Sequence, residues 1–213
     1  MATVLNRPER QVSLRVRWET YERLLAEHEE SSGIRFAYDK GELEIIVPSV
    51  EHEILNSQIE TLVETLADDM HLDFARTRST TFRRQDLEKG FEPDSSFYVH
   101  NVQRVRGKTR LDLKKDPPPD LVIEIDITSM SMNKFSIYSA IGAPEVWRYS
   151  GGALSIFKLK GVEYVKRTQS SIFPKVTASA LTDLIRSGQE LKRPVWIKRV
   201  REWARSIERI EIH

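Results

Sequence analysis

The sequence predicts an α/β (α+β) fold, with strands and helices packed about one core and an added C-terminal helix. Three observations lead there. Short β-branched runs are interleaved with stretches of helical period. No internal repeat or linker divides the 213 residues, a length that suits a single domain with a sizeable core. The most apolar run, Leu121 to Ile127, follows three prolines, precedes a helix, and leads on to a further strand at Glu145 to Tyr149.

Taken in order, residues 1–17 are polar and basic and predict a loose arm or edge strand. Trp18 to Glu30 carries Trp18, Tyr21, Leu24 and Leu25 at helical spacing. Ile34 to Val47 predicts a hairpin turning at Asp39-Lys40-Gly41. Pro48-Ser49 opens a second helix whose buried stripe is Leu55, Ile59, Leu62 and Leu66. On that wheel Glu53, Glu60 and Glu64 point to solvent, while Glu51 and His52 extend the stripe towards the helix start. Leu72 to Phe82 and Phe91 to Val99 predict two further strands, with Asp94 after Pro93 near the start of the second. The basic segment 100–116 holds Arg104, Arg106, Lys108 and Arg110; it reads as a solvated loop or as a contact for a phosphate backbone. Beyond Tyr149, Ala153 to Lys160 and Val162 to Arg167 complete a meander. Ala178 to Ser187 is a short helix. In the last helix Trp196, Val200, Trp203, Ile207 and Ile210 form an apolar seam, for packing within the fold or across a homodimer.

The central run carries two acids, Glu124 and Asp126, whose i, i+2 spacing puts both on one face of a strand. An unpaired buried carboxylate is costly, so a cation should face them; a metal ion and a lysine are the expectation. With Ser129 or Ser131 as cap, the next helix has Phe135, Tyr138 and Ile141 as its apolar side, and Gly142 and Pro144 end it. A Ser131 cap puts Lys134 in the first turn, where the helix dipole disfavours a cation unless it leans towards the acids.

Composition narrows the setting. The charged fraction is 31% against 39% hydrophobic, and the net charge is +1, which neither requires nor forbids a nucleic-acid partner. The absence of cysteine excludes thiolate metal sites and disulfides. No apolar run nears the roughly 18–20 residues of a membrane span, and the first residues lack an apolar signal core, so the expected location is cytoplasmic. A Ser-His-acid hydrolase finds no G-x-S-x-G elbow among the five-histidine sequence.

The motifs Pro93-Asp94, PPPDLVIEIDITSMS, Lys134-Phe135-x-x-Tyr138 and Gly142-x-Pro144-Glu145-Val146-Trp147-Arg148-Tyr149 resemble the core of the PD-(D/E)XK nuclease superfamily. Within it, the chain is similar to the Uma-two-type family of restriction endonucleases, over about residues 18–185. Gly41-Glu42-Leu43, His52 and Phe173-Pro174 echo that pattern more loosely. The resemblance implies a restriction-endonuclease-like core, a mixed β-sheet flanked by helices, with 186–213 as the appended amphipathic helix of a single domain 1–213. It further implies a divalent-metal hydrolytic site acting on DNA. The third residue of the (D/E)XK motif, ordinarily lysine, is Asp126, and the resemblance implies that Lys134 on the following helix takes over.

Strand geometry then chooses among the acids. Asp120 and Glu124 share a face but lie roughly 13 Å apart along a strand, too far for one ion, so Asp120 shapes the start of the strand. Asp94, on a strand beside Glu124, would lie across a gap of about 4.8 Å. Asp94 and Glu124 are therefore the expected ligands of Mg²⁺ or Mn²⁺, which suits an all-oxygen site. Asp126 would take a second ion or steer Lys134, and His52 or Glu42 would complete the outer shell. The rival expectation is a non-catalytic protein of nuclease fold that binds nucleic acid or dimerises.

Overall fold

The computed structural model describes residues 9–28, 33–127 and 132–208. In chain order these give β1 (Arg10–Arg15), α1 (Trp18–Glu27), β2 (Arg35–Asp39), β3 (Glu42–Val47), α2 (Val50–Asp69), β4 (Ala75–Arg76), β5 (Phe82–Arg84), β6 (Lys89–Phe91) and β7 (Ser95–Tyr98). There follow α3 (Val102–Val105), β8 (Leu121–Asp126), α4 (Phe135–Ile141), β9 (Glu145–Ser150), β10 (Ala153–Lys160), β11 (Glu163–Arg167), α5 (Ala178–Glu190) and α6 (Arg193–Glu208). No described helix is long and apolar enough to cross a membrane.

The strands form two sheets, one of which is the expected mixed sheet. The first, in the order β1-β3-β2-β6-β5, is antiparallel throughout. The second, β11-β10-β9-β8-β7-β4, is mixed: β8 and β9 run parallel through the α4 crossover, and its other pairs are antiparallel. A parallel pair needs a crossover connection of this kind.

Alternation along β8 divides the interior. Leu121, Ile123 and Ile125 face a large core shared with α2, α5 and α6, which includes Ile59, Leu62, Trp147 and Trp196. Val122 faces the opposite way, into a core with Phe91, Ile137, Tyr138 and Val146. A smaller aromatic core, Trp18, Tyr21, Phe36, Tyr38 and Leu43, seats α1 on the first sheet. The apolar seam of α6 is turned inwards: Trp196 and Val200 are buried in the large core, and Trp203 and Ile207 pack against it. Ile210, Ser129 and Ser131 lie outside the described residues.

Several boundaries differ from expectation. The run Phe91 to Val99 is split. Glu92 still pairs with Phe36, donating its N–H to that carbonyl (2.9 Å) and accepting the Phe36 N–H at Oε2 (2.9 Å). Pro93 has no N–H to continue the ladder, and from Ser95 the chain joins the second sheet. Leu72 to Phe82 yields only the two residues of β4 before a turn, in which Arg78 takes φ +50°, leads to β5 in the other sheet. Glu60 is buried, where its carboxylate accepts from Ser95 Oγ and Arg76 at 2.9 Å each; Glu51 is the exposed one. α1 ends at Glu27, and 29–32 lie outside the described residues; α5 runs on to Glu190.

Candidate active site

Asp94 owes its position to the break in the chain. Sitting between the two sheets, one residue beyond the register pair Ser95↔Ile123, it comes alongside Glu124. Its Oδ2 accepts the backbone N–H of Ile125 (2.7 Å), and its own carbonyl accepts from Asn56 Nδ2 on α2 (2.9 Å). Ser49 caps α2 by accepting the His52 N–H, which fixes the first turn. From that turn His52 Nε2 reaches to 3.2 Å from Asp94 Oδ1, and Arg35 Nε of β2 lies 3.4 Å from the same oxygen.

Glu124 projects from the β8 face opposite the large core. Its Oε2 accepts from Lys134 Nζ at 2.7 Å, and its Oε1 accepts from the Tyr138 hydroxyl. Lys134 is the N-cap residue of α4, not a first-turn residue, and its carbonyl accepts the N–H groups of Ile137 and Tyr138. The ammonium leans away from the positive helix end onto the carboxylate, which offsets the unfavourable dipole. Asp94, Glu124, Lys134 and His52 all line one small cleft, of about 40 Å³, between the two sheets.

Burial and charge act together on these groups. Burial pushes the Glu124 carboxyl up to about 7; the Asp94 charge adds to this, against Lys134 and the Tyr138 hydroxyl, which pull it down. Burial also works to raise Asp94, but His52 and Arg35 prevail and hold it below the usual carboxylate range. Burial disfavours the charged forms of Lys134 and His52, yet the neighbouring carboxylates prevail and raise both above their ordinary values.

The other expected site residues have different surroundings, and only Asp126 of them lines the cleft. Glu42 is exposed at the end of the β1–β3 pair, 3.7 Å from Arg15, and does not line the cleft. Two residues on, Glu44 is fully buried; its Oε1 accepts from Gln11 and from the Met132 N–H (3.0 Å), and its charge reaches Lys134. Glu42 and Glu44 share one face of β3, opposite Leu43 and Ile45; position along the strand separates them, because Glu42 stands at the turn end while Glu44 lies under the Met132 N–H. Asp126 lines the cleft but is paired with Arg148 of β9, Nε to Oδ2 at 2.5 Å, instead of steering Lys134. Asp120 accepts from the N–H groups of Val99 (2.8 Å) and Asn101 (2.9 Å) and from Asn101 Nδ2 (2.7 Å), which fixes the start of β8. The basic segment leaves β7 at that same end, away from Asp94. There Arg104, Arg106, Lys108 and Arg110 are exposed, with Arg106 paired to Asp73 and Lys108 to Asp116.

Sequence reading missed Arg35, Tyr138, Glu44 and Arg148 as parts of the site. Tyr138 was legible in principle, since it lies four residues after Lys134 and so faces the same way. Arg35 carried no such signal.

The sequence model of one protein family, described as "Uma2: Putative restriction endonuclease", matches residues 18–192. The chain belongs to that family. No curated protein matches the chain. Among solved structures, one titled as a putative nuclease belonging to DUF820, from Anabaena variabilis, is similar at 14% identity and a TM-score of 0.47. That match covers 70% of this chain and 90% of the other. The Uma2 match takes in His52, Asp94, Glu124, Asp126, Lys134, Tyr138 and Arg148 of the cleft and leaves out Glu9 and Gln11, which also line it.

Proposed function

We propose that this Uma2 protein is a metal-dependent endonuclease that hydrolyses phosphodiester bonds of DNA, with Asp94 and Glu124 as metal ligands and Lys134 beside them. The observation that carries this reading is the meeting of two carboxylates from neighbouring strands and one ammonium in a single cleft. The donor set suits the ion. Mg²⁺ is held by one or two carboxylates with waters and substrate oxygens, not by an all-protein cage; among the described residues no group of three or more His, Asp or Glu side chains could hold a metal by itself, so water and substrate would have to supply the remaining ligands. When bound, Mg²⁺ or Mn²⁺ supplies Lewis-acid polarisation of the phosphoryl oxygen and activates water.

The chain's own groups have distinct parts. Lys134, held above its ordinary pKa by Glu124 and Asp94, stays an ammonium. It therefore orients the attacking water and offsets charge gathering on the phosphoryl oxygens, and it is a poor proton acceptor. Tyr138 and Lys134 fix the Glu124 carboxylate through one oxygen each. His52 and Arg35 hold Asp94 ionised.

The test is cleavage of supercoiled plasmid DNA in Mg²⁺ or Mn²⁺. Asp94→Asn, Glu124→Gln and Lys134→Ala should each lose at least about a hundredfold in rate, with cleavage by the parent protein abolished by EDTA. Undiminished cleavage by Glu124→Gln would exclude the mechanism.

A second reading has one observation in its favour. Each oxygen of the two carboxylates already has a protein donor: His52 and the Ile125 N–H on Asp94, Tyr138 and Lys134 on Glu124. A site so satisfied could belong to a non-catalytic member that binds nucleic acid or dimerises. A carboxylate oxygen has two lone pairs, so a donor does not bar an ion. Calorimetry separates the two, because the non-catalytic reading requires no uptake of Mg²⁺ or Mn²⁺ at millimolar metal.

A further inference from the structure

Among the charged residues that line the cleft, Arg148, its partner Asp126 and Glu9 have no place in the chemistry above, and Arg148 is the cation of the three. The parallel register sets it opposite Glu124, on the same face of the second sheet. Its Nε is fixed to Asp126 Oδ2 at 2.5 Å, and its guanidinium carbon lies 5.9 Å from the centre of the Phe135 ring. One edge is thus held by a carboxylate and one face by an aromatic ring, and both restrict the side chain. The two terminal NH₂ groups make no hydrogen bond among the described residues, and the side chain keeps about a quarter of its surface open (23%). A guanidinium fixed at Nε with its terminal fork free is arranged for two-point binding of a phosphate. Lys134, by contrast, is a single-point charge directed at Glu124.

We propose that Arg148 is the substrate clamp of the cleft, taking two oxygens of a nucleic-acid phosphate next to the scissile one. Asp126 is then a positioning residue for Arg148 and not a ligand of a second ion. The inference rests on the nuclease reading and deepens it. It also accounts for an acid standing where the superfamily motif has lysine: Asp126 directs a cation of the neighbouring strand.

The experiment uses the full chain, a short fluorescein-labelled DNA duplex titrated at several salt concentrations, and plasmid cleavage kinetics. Arg148→Gln should raise Kd and KM roughly tenfold, the loss falling on KM more than on kcat, and should reduce the salt dependence of binding by about one phosphate contact. Arg148→Lys should restore the salt dependence but not the full affinity, because a point charge lacks the fork. Asp126→Asn should raise KM in the same sense while leaving the Mn²⁺ affinity unchanged. Thermal unfolding of each variant provides the folding control, and Arg148→Lys carries the test should Arg148→Gln fail to fold. Weaker Mn²⁺ binding by Asp126→Asn would make it a metal ligand and overturn the assignment. Unchanged KM and salt dependence in both Arg148 variants, with the parent protein active, would sink the clamp alone. A parent protein that neither binds nor cleaves DNA would sink the nuclease reading and the clamp with it.

Discussion

Glu124 concentrates the electrostatic tension of the molecule, since it is buried beside a second carboxylate and relieved by one ammonium and one hydroxyl. Its folded pKa of about 7 lies above the ordinary 4.5. The folded state therefore binds more protons than the unfolded state between those values, and stability falls as pH rises through that window. Urea midpoints of the metal-free protein should decline between about pH 5 and pH 8. That slope should flatten in Glu124→Gln; an equal slope in both proteins would place the titration elsewhere. Asp120 is the contrasting acid. Its three hydrogen bonds hold the start of β8, so Asp120→Ala should cost roughly 2–4 kcal/mol by leaving buried N–H groups unpaired. Its Mn²⁺ affinity, measured below the melting temperature, should be unchanged, and a loss there would give Asp120 a direct part in the site. Both acids were legible as a pair to be separated, because four residues of strand is a fixed length. Arg35 and Arg148 were not legible, because their neighbours come from distant parts of the chain and no spacing within one segment announces them.

At the scale of elements, the hairpin, α2 and β8 followed from period and turn chemistry. Lys40 and Gly41 take φ +48° and +95° at the turn that the Asp-Lys-Gly run predicted. The split at Pro93 did not follow, although proline's missing N–H hinted at it. Alternation shows which face of a strand is apolar but not which of two sheets the strand joins. A similar limit of the helical wheel hid Glu60 on α2, whose partners Ser95 and Arg76 arrive from the mixed sheet and make a buried position tolerable for an acid. The seam of α6 was visible, but its destination was open between partner and core. Trp196 lies in the large core, donates from Nε1 to the Leu184 carbonyl (2.8 Å), and passes close enough to Gly188 that an added Cβ would meet its ring at 2.8 Å. Trp196→Ala should cost about 3–5 kcal/mol and leave the sedimentation behaviour of the folded protein unchanged. A shift from dimer to monomer without loss of stability would return the seam to an interface.

Across the whole molecule, the two sheets and α4 act as one device. The first sheet supplies one cleft wall and, behind Asp94, Arg35; the crossover between sheets supplies Asp94, the mixed sheet supplies Glu124 and Arg148, and the βαβ crossover supplies Lys134. Because the acids and the ammonium come from different segments of the chain, a shift between the sheets separates them, and Tyr138 and Phe91 pack between the sheets with their rings 4.7 Å apart. The central claim is that Asp94 and Glu124 share one divalent ion. Anomalous scattering from crystals soaked in Mn²⁺ tests it most directly. The account predicts a manganese peak in contact with both carboxylates, absent from Glu124→Gln crystals. A fully soaked crystal with no peak there, or with its peak bound by Asp126 or Asp120 instead, would contradict it.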